Sequence, residues 1–231
     1  ELCFTEHSDY DVPTVVNCDY DAYFKEMEEM KEKYKGQITL KTGIEFGIQV
    51  HTTKAYEETF GQYPFDFVIF SCHQIENKEY WRQEPQKGKT QLEYNRRYYQ
   101  EILDVVKTYK DYSILGHLDV IKRYDLNGEI ELEKIKDLIE QIFEVVIADG
   151  KGIELNTSSH AYHLKSLMPS REILELYHDM GGKIITIGSD AHNADRVGDR
   201  VMESQKILKE IGFDGIYTFD QMKPKFHEFK F

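Results

Sequence analysis

Six short apolar runs in this chain each stop at a side chain that can bind a metal or move a proton. Phe4-Thr5-Glu6-His7, Thr42-Gly43-Ile44-Glu45 and Ile69-Phe70-Ser71-Cys72-His73 come first. Ile114-Leu115-Gly116-His117-Leu118-Asp119, Gly152-Ile153-Glu154-Leu155-Asn156 and Ile185-Thr186-Ile187-Gly188-Ser189-Asp190-Ala191-His192 follow. Imidazoles mixed with carboxylates suit Zn, Mn or Fe better than Ca or Mg. Two or three such ions held close together clamp a phosphoryl group and acidify a bound water. A lone strand-end His more often satisfies a local hydrogen bond, so the metal reading rests on the recurrence.

Strands separated by helices are what would aim these side chains at one rim. Strand-like runs fall near 2–6, 38–44, 67–71, 113–118, 152–156, 183–188 and 215–219. Helical patterns occupy roughly 20–35, 53–60, 91–109, 131–148, 170–180 and 202–211. In the fourth helix Ile135, Leu138, Ile139, Ile142, Phe143 and Val146 make a one-sided stripe of period 3.6, closed by Asp149-Gly150. Strands and helices alternating in this way predict a parallel α/β sheet. With no linker, repeat or low-complexity tract, residues 1–231 read as one domain. The polar segment 76–90 carries Pro85, Gly88 and the only Trp, Trp81. It follows His73 directly, so it reads equally as a substrate-contacting lid or as a surface excursion with Trp81 packed down.

Bulk composition narrows the partners. A formal net charge of -13 argues against a nucleic-acid partner, since phosphate backbones select basic surfaces. No apolar run approaches the 18 or so residues of a membrane span. The cysteines Cys3, Cys18 and Cys72 are odd in number and have no CxxC spacing, which points to a reducing cytoplasm, and Cys3 and Cys72, in strand-like runs, read as small core residues.

Thr5-Glu6-His7-Ser8-Asp9, Gly43-Ile44-Glu45, Ser71-Cys72-His73, Gly116-His117-Leu118-Asp119, Glu154-Leu155-Asn156-Thr157-Ser158-Ser159 and Gly188-Ser189-Asp190-Ala191-His192 appear in that order. This set resembles the polymerase-and-histidinol-phosphatase (PHP) superfamily, most closely its monofunctional histidinol-phosphatase branch, over essentially the whole chain. The resemblance implies a distorted (β/α)7 TIM-like barrel, two to three divalent ions (Zn, Mn or Fe), and phosphomonoester hydrolysis by a metal-bound hydroxide. Its metal ligands fall on His7, Glu45, His73, His117, Asp190 and His192. By the same resemblance Glu45 bridges two metals, and His73 and His117 complete one of those two sites. Asp190 belongs to a second metal, and His7 and His192 hold a third. Asp190 and His192 are also the expected catalytic pair, protonating the leaving alkoxide. Asp119 and Glu154 read as supports that fix a His tautomer or fill a barrel layer.

Two positions depart from the family. Its opening His-x-His strand has no counterpart, because the first His here is His7, in the context of the second motif. The barrel is therefore expected to lack its first βα unit, about 30 residues, with the metal shared by Asp190 and that unit depleted. The second departure is Ala161, which occupies a position where close relatives commonly carry a phosphate-binding Arg. Arg123 matches another phosphate-binding position. Ser158 and Arg196 are the further substrate-binding candidates, and His160 or His163 offer substitutes for the absent Arg. The leading expectation is hydrolysis of a small phosphorylated metabolite, L-histidinol phosphate by resemblance. The alternatives are a phosphoesterase for another such metabolite and a non-catalytic member that binds metal or partner.

Overall fold

The computed structural model describes residues 1–231. Its centre is a six-stranded, all-parallel sheet whose spatial order follows the sequence. Strands β1 (Leu2–Ser8), β2 (Leu40–Gly47), β3 (Phe67–Ser71), β6 (Ile114–Leu115), β7 (Gly152–Asn156) and β8 (Ile185–Gly188) lie side by side. A small hairpin, β4 (Gln74–Ile75) and β5 (Lys78–Glu79), interrupts the series after β3. Helices α1 (Tyr20–Lys33), α2 (Thr53–Phe60), α3 (Gln91–Thr108), α4 (Lys136–Ala148), α5 (Arg171–Asp179) and α6 (Val201–Ile211) occupy the intervals. Sequential order with parallel pairing curls the sheet into a half-barrel, with helices outside and every strand ending at one rim.

Side chains alternate across each strand, and the two faces differ in chemistry. Ile44, Phe46, Val68, Phe70, Leu115, Ile153, Leu155 and Ile185 join the main core with the inner stripes of α3, α4 and α5. The other face carries Phe67, Ile69 and Ile114 low in the half-barrel, in a separate small apolar cluster. Higher up the same face come Glu45, Ser71 and Glu154, all buried and polar. Where the helices start, local chemistry sets the boundary. Thr90 and Glu93 form a reciprocal capping box at α3, and Ser170 caps Ile173 N at α5. At the far end of α4, Gly150 takes φ 65°, a left-handed conformation a glycine adopts without steric cost.

Two expected elements come out differently. The strand expected over 113–118 is hydrogen-bonded as a ladder only at Ile114–Leu115, because the chain then bends into a short 3-10 helix, Val120–Tyr124. The run at 215–219 does form a strand, β9 (Gly215–Asp220), but it pairs antiparallel with β10 (Lys223–Glu228) rather than joining the parallel sheet. The hairpin is anchored by Asp66, whose backbone oxygen accepts from Met222 N at 2.9 Å and whose Oδ1 accepts from Gln221 N at 3.2 Å. That grip places Phe219 against Phe67, Ile69 and Ile114, closing the half-barrel at the end away from the rim. The 76–90 segment is also more structured than a free lid. Tyr80 is buried, Gln49 and Asn77 exchange two hydrogen bonds of 2.8 Å, and Gln83 Nε2 donates to Tyr124 O at 2.6 Å. Trp81 remains 42% exposed beside Tyr124, with ring centroids 6.3 Å apart. No helix is long and apolar enough to cross a membrane.

Candidate metal centre and its anion-binding flank

The parallel register sets His7 beside Glu45, and Glu45 beside Ile69, two residues short of Ser71. His73 and His117 lie just past the ends of β3 and β6, so four potential ligands reach one point from neighbouring strands. Glu45 is the hub. Its Oε1 stands 2.9 Å from His117 Nε2 and 3.2 Å from His73 Nε2, while Oε2 stands 3.3 Å from His7 Nε2. His73 Nε2 and His117 Nε2 are 3.4 Å apart. Ser71 Oγ donates to Glu45 Oε1 at 2.6 Å and fixes the carboxylate's rotation.

The outer nitrogens are held from behind by Asp9, which is 1% exposed. Its Oδ2 lies 2.8 Å from His7 Nδ1, and its Oδ1 lies 2.8 Å from His73 Nδ1. The two rings stack with centroids 4.7 Å apart. With both Nδ1 atoms donating to Asp9, both Nε2 lone pairs face the centre. Gly47 makes room for this pair, since a Cβ there would sit 1.7 Å from Asp9 Oδ1 and 2.9 Å from His73 Nδ1.

These residues fit a divalent ion. Ligand atoms each about 2.0–2.2 Å from a zinc ion stand roughly 3 Å from one another, the spacing found around Glu45. Glu45, His73 and His117 form one such group of ligand atoms, and His7, Asp9 and His73 form a second. Without a cation the pocket holds protons instead. Burial works against a charged His7, yet the Glu45 and Asp9 carboxylates lift its imidazole to about 11. The same contest lifts His73 to about 9, Asp9 being its main partner. Burial likewise opposes ionisation of Glu45, but His7, His117 and His73 hold its carboxyl well below the usual range. Imidazole and carboxylate atoms converging at this spacing are a donor set that could hold a divalent cation.

The two expected supports divide: Glu154 fills the inner layer of the half-barrel, and Asp119 lies beyond the strand, at the start of the short helix Val120–Tyr124. Asp119 does not orient an imidazole; its Oδ2 pairs with buried Lys122 Nζ at 2.8 Å and accepts from Ser170 N at 2.9 Å. Glu154 Oε2 accepts from the backbone N–H of His117 at 3.0 Å, so it holds the main chain rather than the ring. Burial raises the Glu154 carboxyl to about 7 despite the nearby His117. Both miss the ring because the chain bends after Leu115, turning His117 Nδ1 into a buried position without a protein partner. Orienting the imidazoles falls to Asp9, two residues beyond His7.

Asp190 and His192 stand apart from the Glu45 cluster in a second constellation. Asp190, at φ 47°, directs Oδ2 to Ser158 Oγ at 3.0 Å and to Arg123 Nη2 at 3.4 Å. His192 is 68% exposed, with Nδ1 3.1 Å from the Asp190 backbone oxygen. Arg123 Nη2 also donates to Ser158 Oγ at 2.9 Å. Arg123 Nε is buried without a partner in this constellation, and Arg196 Nη2 is likewise buried and unpartnered on the short helix Ala194–Arg196. An anion is the ligand that guanidinium edges take. His160 and His163 make no side-chain bond to this constellation.

A family model for the PHP domain matches residues 1–158, more than half of the sequence. The chain belongs to the PHP domain family. A histidinol-phosphatase of Lactococcus lactis subsp. lactis is 31% identical over 227 residues, 96% of this chain and 84% of that protein. A crystal structure of histidinol phosphate phosphatase from the same organism, complexed with Zn, L-histidinol and phosphate, superposes with a TM-score of 0.85. It is 29% identical, and the match covers 96% of this chain and 86% of that one. A Listeria monocytogenes structure at 16% identity, covering 87% of each chain, shares the PHP fold with a TM-score of 0.74. The PHP match includes every strand that supplies the Glu45 cluster, and Asp190 lies beyond it.

Proposed function

We propose that this PHP protein is a metal-dependent phosphomonoesterase that hydrolyses L-histidinol phosphate to L-histidinol and phosphate. The observation that carries the reading is the convergence of three imidazole Nε2 atoms on the Glu45 carboxylate. His7, Glu45, His73 and His117 would hold the first ions of a set of two to three divalent metals, Zn among them. Asp190 and His192 would complete the set from the other constellation. The six parallel strands are read as part of a distorted (β/α)7 barrel, a reading supported by their unbroken spatial order.

When bound, the ions supply Lewis-acid polarisation of the phosphoryl group and a nucleophilic water. The chain's own residues do the rest. Asp9 keeps His7 and His73 in the tautomer that leaves Nε2 free. Arg123 and Arg196 offer their edges to the phosphate and neutralise its charge. Ser158 Oγ, released from Asp190, donates to a phosphoryl oxygen. His192 is exposed to solvent with Nδ1 at hydrogen-bonding distance from the Asp190 backbone oxygen, which would orient its ring toward the metal set, and the departing alkoxide would take its proton from water at that open edge.

The test is phosphate release from L-histidinol phosphate by purified protein loaded with Mn or Zn. Turnover supports the substrate assignment, and an untouched substrate refutes it. Turnover of an aryl phosphate alone would keep the reaction class and favour a different small phosphorylated metabolite. Ala161 is the observation that favours this second reading, because the position offers no guanidinium to the phosphate.

A further inference from the structure

Arg123 reaches the rim from the short helix Val120–Tyr124, and its side chain is 10% exposed. A guanidinium has an edge of N–H donors and two flat faces, and the two kinds of surface do not compete. Here part of the edge is engaged, through Nη2 to Ser158, while Nε is buried and free. One face is covered, because the Arg123 Cζ lies 3.6 Å from the centroid of the Tyr162 ring. Tyr124 makes a much looser contact, its ring centroid 6.0 Å away. Tyr162 is itself 45% exposed and makes no side-chain hydrogen bond, so the stack on Arg123 is the contact that gives its ring a task.

We propose that Tyr162 is a positioning residue, its ring holding the Arg123 guanidinium by one face so that the free Nε edge meets the substrate's phosphate. The proposal rests on the phosphomonoesterase reading above. It also addresses the vacancy at Ala161. With no guanidinium supplied from that position, phosphate recognition leans on Arg123. A long side chain with several rotatable bonds then benefits most from being fixed before the ligand arrives.

A stacked cation is stabilised by an amount equivalent to about 3- to 30-fold in an equilibrium constant. In metal-loaded protein, Tyr162→Ala should weaken binding of inorganic phosphate, measured by calorimetry, by that factor. The KM for a phosphate ester should rise alike, with kcat within about twofold. Tyr162→Phe keeps the ring and should restore both values. In an Arg123→Ala background, Tyr162→Ala should change nothing further. The proposal is overturned if Tyr162→Ala binds phosphate like the wild type, if Tyr162→Phe is as impaired as Tyr162→Ala, or if the effect persists without Arg123. Phosphate calorimetry needs no turnover, so inactivity toward histidinol phosphate sinks the substrate assignment and leaves the Tyr162 series decisive. Failure of the wild type to bind phosphate at all overturns both.

Discussion

Replacing Asp9 by Asn isolates the support behind the metal ligands. The side chain keeps its shape in a position 1% exposed, so the fold has no steric reason to change. What changes is the donor pattern. Asp9 accepts two hydrogen bonds of 2.8 Å, one from each Nδ1 of His7 and His73. Asn accepts one and presents an N–H to the other. The ring that meets the N–H must turn its Nδ1 into an acceptor and carry its proton on Nε2, where a metal has to bind. Loss of such an outer partner costs about 10- to 100-fold in metal affinity, or roughly 1.4–2.7 kcal/mol. Because two ligands share Asp9 and a negative charge is also lost, the result should lie near the upper figure. The assay is Zn competition against a chromophoric chelator, with circular dichroism to verify the fold. An Asp9→Asn protein that holds Zn within about threefold of the wild type would show that Asp9 does not set the tautomers. Gly47→Ala attacks the same pair from the other side, through a Cβ 1.7 Å from Asp9 Oδ1, and should lower Zn affinity in the same direction.

Glu45→Gln should abolish more than about 100-fold of the phosphatase activity, exceeding the loss of an outer partner, because Glu45 is the atom group on which three imidazoles converge. Steady-state kinetics with excess metal would check it. Chelator treatment should lower the melting temperature as well as activity, and readdition of Zn or Mn should restore both. Metal at 100 times its Kd contributes about 2.7 kcal/mol to the folded state, a shift that scanning calorimetry resolves. Lys122→Met should destabilise the fold by about 3–5 kcal/mol, read from urea unfolding, because it strands Asp119 in a site where both side chains are at most 6% exposed. Arg96→Ala, which breaks the exposed Asp137 pair at 2.7 Å, should cost no more than about 1 kcal/mol in the same assay.

The recurrence of His and carboxylate at strand ends pointed to one rim before the fold, and the allocation of ligands came from the resemblance. His7 and Glu45 lie on strands whose inward positions recur every second residue, and the rim follows from parallel order. The same rule reaches Asp9, two residues beyond His7, but Asp119 and Glu154 drew the supporting role in its place. Asp119 and Glu154 share that spacing, but the bend after Leu115 hands Asp119 to Lys122, a contact spanning three residues of a 3-10 helix that no strand period describes. The β9 hairpin was hidden for a related reason. Its turn places Gln221 and Met222 at φ 49° and 64°, where a sequence signal would have been Asn or Gly, and its stability comes from Asp66, 155 positions away in the chain. Arg123 and Tyr162 show the limit most clearly. Each lies beyond the strand that precedes it, and their 3.6 Å stack depends on how two loops fold over the rim. Residues on strands inherit their direction from the backbone period. Residues on loops acquire it from partners, so the resemblance could name Arg123 as a phosphate-binding candidate while its stack on Tyr162 could not be read from the sequence.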